Sequence, residues 1–279
     1  MKTKNIITPS MEKILVNLGQ FKYLTVSQML RLDIMKGRRN LNRKLAELRQ
    51  LSKPLVQNLS FSVHPVEGKL EHIHFLTPYG AEQLREYYGN RFPVRYPKSN
   101  SPVFGFDYFH RLAVIDFEIS LRIFAEKNDL GIVFFTTYFD KVSTEKEKGY
   151  RAASAIMIDR TKYLIADAVF MMNTPYREDL YACEVFLDSD VARVLSSIRQ
   201  HLNVLASGKF SEQYKIDYGS RLLCIFKHKN VMQKVMGKLY KDMDFKQAQK
   251  HILFKAADEL DVEMFFDWKY CDGSEASLF

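Results

Sequence analysis

The sequence predicts an α/β (α+β) protein in two parts: a winged helix-turn-helix domain over residues 1–90 and a helix-and-sheet domain over 104–279, with a linker at 91–103. Charge is the first observation behind this division. Residues 1–100 carry 17 Lys and Arg against 7 Asp and Glu, whereas the rest carry 24 against 26, so the net +8 belongs entirely to the first third. Such a local excess points to a polyanion partner for that part. The second observation is "GNRFPVRYPKSNSP", residues 89–102, whose three prolines and weak periodicity break the chain. The third is a change in the order of elements: short amphipathic helices and a hairpin before the break, then helix, strands, helix and strand after it.

At 279 residues, 47% apolar and 27% charged, the chain can bury a sizeable core. No apolar run approaches the roughly 18 residues of a membrane span, and the start "MKTKNIITPS" lacks the apolar core of a secretion signal. A cytoplasmic protein without membrane insertion is expected. Cys183, Cys224 and Cys271 are odd in number and lack metal-ligand spacing, which points to reduced thiols.

In the front part, "SMEKILVNLGQF" begins with a serine cap and sets Ile14, Leu15 and Leu18 on one face, ending at Gly19. A second helix starts at Thr25 with Val26, Met29 and Leu30 inward. The third, "RRNLNRKLAELRQL", buries Leu41, Leu45 and Leu48 and leaves Arg38, Arg39, Asn42 and Arg43 outside. A third helix with a cationic, amide-bearing outer face describes a recognition helix in the major groove of double-stranded DNA, where arginine reads guanine and asparagine adenine. Lys44 and Arg49 are expected on phosphates. A solvated helix face is the competing reading, disfavoured because the charge gathers on the third helix.

Strand-like runs at 55–63 and 70–76 flank the turn "HPVEGK" and predict a hairpin wing with Lys69 near its tip. His72 and His74 share one side of its second strand. Their spacing, followed by Tyr87 and Tyr88, is similar to the metal-and-tyrosine sites of DNA-nicking replication proteins. A two-stranded wing brings no further ligands to that side, so a strand that carries two histidines is the favoured reading.

Beyond the linker, a helix at 106–127 buries Leu112, Ile115, Ile119 and Ile123. Strands follow at "GIVFFTTYF", at "RAASAIMID" with its continuation "YLIADAVFM", and at "DLYACEVFL". The helix "DVARVLSSIRQHLNVL" and the strand "RLLCIFK" close the core, with "FFDWKY" as an edge. Asp167 and Glu184 each sit among apolar neighbours in these strands. Burying an unpaired carboxylate costs several kcal/mol, so each needs a cation, a hydrogen-bond partner or a metal. Mg²⁺ or Mn²⁺ held by both acids and a backbone carbonyl is one solution. The other is pairing with Arg151, Arg193 or Arg199.

Taken together, "LTVSQML…RRNLNRKLAEL…IHFLTPYGAEQL", a histidine opening a helix in "FHRLAVIDFEISL", an Asp strand and a Glu strand resemble the replication-relaxation proteins, in particular the C-type mobilisation (MOBC) relaxases of mobilisable plasmids. The similarity covers residues 10–205. It implies a PD-(D/E)XK restriction-endonuclease-like second domain and metal-dependent, strand-specific nicking at a plasmid transfer origin. Double-stranded DNA, an accessory mobilisation protein and a coupling protein are the implied partners. Asp167 and Glu184 take the two acidic positions, and His110 the helix histidine. Two positions depart from the pattern: Ala166 replaces the proline before the aspartate, and Phe186 stands where nucleases of this fold usually have lysine. Asp188, Arg199 or Gln200 are candidate substitutes. Glu118 is a further metal candidate, although its eight-residue separation from His110 spans about 12 Å of helix. The rival function is a non-catalytic DNA-binding regulator of plasmid replication or transcription.

Overall fold

In the computed structural model the chain divides into two compact units, Met1–Tyr108 and Phe109–Phe279. The structure describes residues 7–89, 93–98, 107–144, 149–174, 177–217, 220–260, 265 and 267–278.

In the first unit, α1 (Pro9–Phe21) is capped by Thr8 and not by Ser10. Pro9 takes the first helical position, where its missing N–H is no loss. Ile14, Leu15 and Leu18 are buried as the periodicity requires, and the helix runs two residues past Gly19. Thr25 caps α2 (Val26–Arg31) through reciprocal bonds with Gln28. α3 (Arg38–Arg49) buries Leu41, Leu45 and Leu48. The hairpin is built from β1 (Val56–Leu59), β2 (Val63–His64), β3 (Gly68–Lys69) and β4 (Ile73–Leu76), with β1 antiparallel to β4 and β2 to β3. Leu24 adds a bridge to β4 at His74. α4 (Pro78–Tyr88) is capped by Thr77, whose hydroxyl also donates to Pro54 O at 2.6 Å. Gly80 in its first turn lies against the backbone before β1, where an added Cβ would come within 2.1 Å of Leu55 O.

Of the expected linker, residues 91, 92 and 99–103 lie outside the described residues. Residues 93–98 belong to the first unit: Arg95 donates its backbone N–H to Gly19 O and its guanidinium to Gln20 O.

From Phe109 onward, the second unit comprises all but the first residue of α5 (Tyr108–Lys127), then β5 (Gly131–Thr137), β6 (Lys141–Thr144), β7 (Gly149–Ala152), β8 (Ala155–Met157), β9 (Tyr163–Ile165), β10 (Ala168–Asn173), β11 (Glu178–Phe186), α6 (Val191–Ala206), α7 (Lys209–Tyr214), β12 (Arg221–Phe226), α8 (Lys229–Tyr240), β13 (Ile252–Ala256), β14 (Trp268–Lys269) and β15 (Glu275–Ala276). Position 106, where the first helix of this part was expected to start, lies outside the described residues. A seven-stranded mixed sheet runs β15-β14-β13-β12-β11-β10-β5, with β11, β12 and β13 parallel and the other neighbours antiparallel. On one face Val169, Ala182, Leu222 and Phe254 meet Ile198 and Leu202 of α6 and Val235 of α8. On the other, Phe117 of α5 packs on Phe135 and Phe170, and Phe124 stacks on Phe265 at 4.8 Å. The result is an α/β arrangement with helices on both faces of the sheet.

Two expectations are corrected here. "RAASAIMID" and "YLIADAVFM" do not form one continuous strand, because the chain doubles back. β6 pairs with β7 and β8 with β9 as side hairpins, and only β10 enters the sheet. Ser154 fixes the fold-back, its hydroxyl donating to Ala166 O at 2.5 Å. The other correction is that α8 and β13, unassigned from the sequence, extend the core. β13 was hidden by Lys255, which is 1% exposed and donates to Asp267 O at 2.7 Å.

Candidate functional site

The register of β10 against β11 pairs Ala168 with Cys183, so the residue entering β10 meets the residue after Cys183 at one end of the sheet. Those residues are Asp167 and Glu184. The Asp167 backbone N–H donates to Glu184 Oε1 at 3.2 Å, and the Val185 N–H donates to Asp167 Oδ2 at 2.7 Å. Thr137, at the end of β5, pairs with Ala168, which brings Tyr138 alongside; its N–H donates to Asp167 O.

Neither acid is satisfied by the arginines offered by the sequence. Arg193 pairs with Asp188, Arg199 with Asp242, and Arg151 donates to Met157 Sδ. Histidines take their place. From α5, His110 Nε2 lies 3.1 Å from Asp167 Oδ2 and 3.0 Å from Val185 O. From α6, His201 Nε2 lies 2.9 Å from Glu184 Oε1, and the Ser197 hydroxyl donates to Glu184 Oε2 at 3.4 Å. The acid pair is gripped from both helical layers.

The protonation of His110 follows from its neighbours. Asp167 Oδ2 and Val185 O are both acceptors, so Nε2 carries the proton. In the neutral ring Nδ1 is then the acceptor, and it takes the Tyr138 hydroxyl at 3.2 Å. Hydroxyl, imidazole and carboxylate therefore stand in line, the order in which a carboxylate orients a base toward a hydroxyl proton. Burial, followed by the charge of Glu184, raises the Asp167 carboxyl from its ordinary 3.8 to about 6, while His110 pulls the other way. A raised carboxyl beside a second acid is a common mark of a reactive site.

For a hard divalent cation, the donor chemistry is suitable. A carboxylate oxygen of Asp167 and the Val185 carbonyl converge on one point, now filled by an N–H, with Glu184 alongside. Mg²⁺ asks of a protein only one or two carboxylates and completes its shell with water and substrate oxygens. Among the described residues no group of three or more His, Cys, Asp or Glu is arranged to hold a metal. Glu118 is fully buried, and its Oε1 accepts from Arg122 at 3.0 and 2.8 Å.

The substitutes named for the third position do not reach the acids. Asp188 and Arg199 have the partners given above, and Gln200 is exposed. His201 is the residue that sequence reasoning missed. Its signal was a polar side chain on the apolar stripe Val194, Ile198, Leu202 of α6.

In the first unit, Arg39, Asn42 and Arg43 are exposed on α3, and Lys69 is exposed on β3. Arg38 is engaged: Nη1 lies 2.5 Å from Glu71 Oε1 and Nη2 2.7 Å from Ser27 Oγ, tying α3 to α2 and to the approach to β4. Lys44 pairs with Glu47 at 2.7 Å. His72 and His74 have different hydrogen-bond partners. His74 is buried and accepts from Arg49, and burial followed by the Arg49 charge lowers it to about 3, so it stays neutral. His72 meets Asn58. Tyr88 donates to Glu12, and Tyr87 is exposed. Among the described residues no helix is long and apolar enough to cross a membrane.

Comparison with protein-family models, with curated proteins and with solved structures finds no match to this chain.

Proposed function

We propose that the chain is a DNA-nicking protein of the plasmid-relaxase kind, with a winged-helix first unit that binds double-stranded DNA and a PD-(D/E)XK-like second unit that cleaves one strand. The observation that carries this reading is the meeting of Asp167 and Glu184. They lie 17 residues apart, Asp167 just before β10 and Glu184 within β11, yet the Asp167 backbone N–H donates to the Glu184 carboxylate at one end of the sheet, with His110 on the Asp167 carboxylate. Helix, three antiparallel strands, helix and parallel strand, in the order α5, β5, β10, β11, α6 and β12, support the nuclease-like part. For the winged-helix part, support comes from three short helices, two of them capped by threonine, a hairpin and an outward Arg39, Asn42 and Arg43.

In this reading Asp167, Glu184 and the Val185 carbonyl would hold Mg²⁺ or Mn²⁺, which would supply polarisation of a phosphodiester and a more acidic water. Without a cation Asp167 holds the His110 ring through Nε2; a cation taking the point between Asp167 Oδ2 and the Val185 carbonyl would release that ring, whose Nδ1 faces Tyr138, as a group that can receive a proton from a nucleophile. Arg39 and Arg43 supply phosphate and base contacts, with Lys69 on the backbone.

One observation favours the rival, a DNA-binding regulator without catalysis: Phe186, where a lysine is expected, is 8% exposed and packs on Phe226 at 5.0 Å. One assay separates the two. Supercoiled plasmids carrying segments of the DNA that flanks the gene are incubated with the purified chain and Mn²⁺. Open circles are expected, whereas salt-dependent binding without cleavage under Mg²⁺ or Mn²⁺ supports the regulator.

A further inference from the structure

The side of Glu184 that faces α6 carries an inference that rests on the nicking reading above. With Phe186 turned into the apolar layer under α6, position 186 sends no polar side chain to the glutamate, whose Oε1 accepts the Asp167 backbone N–H. The helix sends two polar groups back instead. Ser197 and His201 stand at i and i+4, on one side of α6. Each contacts a different oxygen of the same carboxylate, Ser197 at Oε2 and His201 at Oε1. His201 is 2% exposed, among Ile198, Leu202 and Val194, each at 1% or less.

A ring so placed costs stability unless it is hydrogen-bonded. An aliphatic residue would fill the stripe without that cost, so its contact with Glu184 has to be weighed as its use. We propose that His201, seconded by Ser197, is the positioning residue of Glu184: it donates Nε2–H to the carboxylate and, together with the Asp167 backbone N–H on the same oxygen, holds it in one rotamer beside Asp167. It does not touch the substrate or the cation. The ligand it serves is the divalent ion of the acid pair.

The test measures Mn²⁺ binding by calorimetry, apart from turnover, in the full chain and in two variants. His201→Gln keeps an N–H donor at about the reach of Nε2. His201→Asn stays polar but is too short to span the contact. Melting curves without metal establish that each variant is folded. Outer partners of metal ligands are worth about 10–100-fold in affinity. His201→Asn is therefore expected to weaken Mn²⁺ binding and nicking by that factor, and His201→Gln to recover most of both. Ser197→Ala, which opens no core, is expected to weaken binding several-fold and serves if His201→Asn does not fold. Affinities within twofold of the parent in the folded variants, or tighter binding in His201→Asn, overturn the role. A parent chain that neither binds Mn²⁺ nor nicks overturns the nicking reading itself, which is a different result.

Discussion

Replacing Asp167 with asparagine should make the protein more stable and inactive at once. Burial, followed by the charge of Glu184, raises the carboxyl from an ordinary 3.8 to about 6 in the fold. The folded state therefore binds this proton more tightly than the unfolded chain does. Below about pH 4 both states are protonated and no penalty arises. As pH rises through 4 to 6 the unfolded chain ionises first, and stability is lost until the folded group has ionised as well. About two pH units at 1.36 kcal/mol each correspond to roughly 3 kcal/mol lost by pH 8.

Asparagine carries no charge, and its Oδ1 can still accept the Val185 N–H. The weakened bond to His110 costs about 1 kcal/mol. Urea unfolding at pH 4, 6 and 8 should thus find Asp167→Asn more stable than the parent by about 1–3 kcal/mol at pH 8, with the gap closing by pH 4. A gap that is independent of pH, or that widens toward pH 4, refutes the strained buried acid. Strain retained at a working site at the expense of stability is the expected bargain.

Two further outcomes follow from the first unit. Arg39→Ala and Arg43→Ala should each weaken DNA binding, measured by fluorescence anisotropy, and lower the slope of log affinity against log salt by about one. Arg38→Ala should change that slope less, since its guanidinium is committed to Glu71 and Ser27; equal effects at all three positions would show that the commitment does not matter. Gly80→Ala forces a methyl against Leu55 O and should cost about 1–3 kcal/mol in thermal or urea unfolding. A neutral result there would mean that α4 shifts freely.

Local periodicity made the helices of the first unit legible, because Leu41, Leu45 and Leu48 or Ile14, Leu15 and Leu18 repeat at the helical period and Thr25 announces a cap. The second unit was harder to read. α5 is buried on more than one side, with Phe117, Leu121 and Phe124 lying off the expected stripe, so a single-face pattern describes only part of it. The apolar run around Asp167 looked like one strand, but its direction is set by Ser154, a contact 12 residues away that no local window contains.

At the site, the acids could be named from the sequence because a carboxylate in an apolar strand demands a partner. The partner could not be named the same way. Arg193 and Arg199 were nearer in kind, yet both point to other carboxylates at the surface. His110 and His201 reach the acids because of where α5 and α6 lie against the sheet, which is a property of the packing. The commitment of Arg38 to Glu71, 33 residues away, was invisible for the same reason.

The most direct measurement is a double-mutant cycle on nicking of supercoiled DNA under Mn²⁺, with the parent, Asp167→Ala, Glu184→Ala and the combined variant, all shown to be folded. If the two acids serve as one unit, each single change removes about a thousandfold or more of the rate and the combined change removes no more than either alone. Wild-type rates in either single variant, or losses that multiply in the combined one, would contradict it.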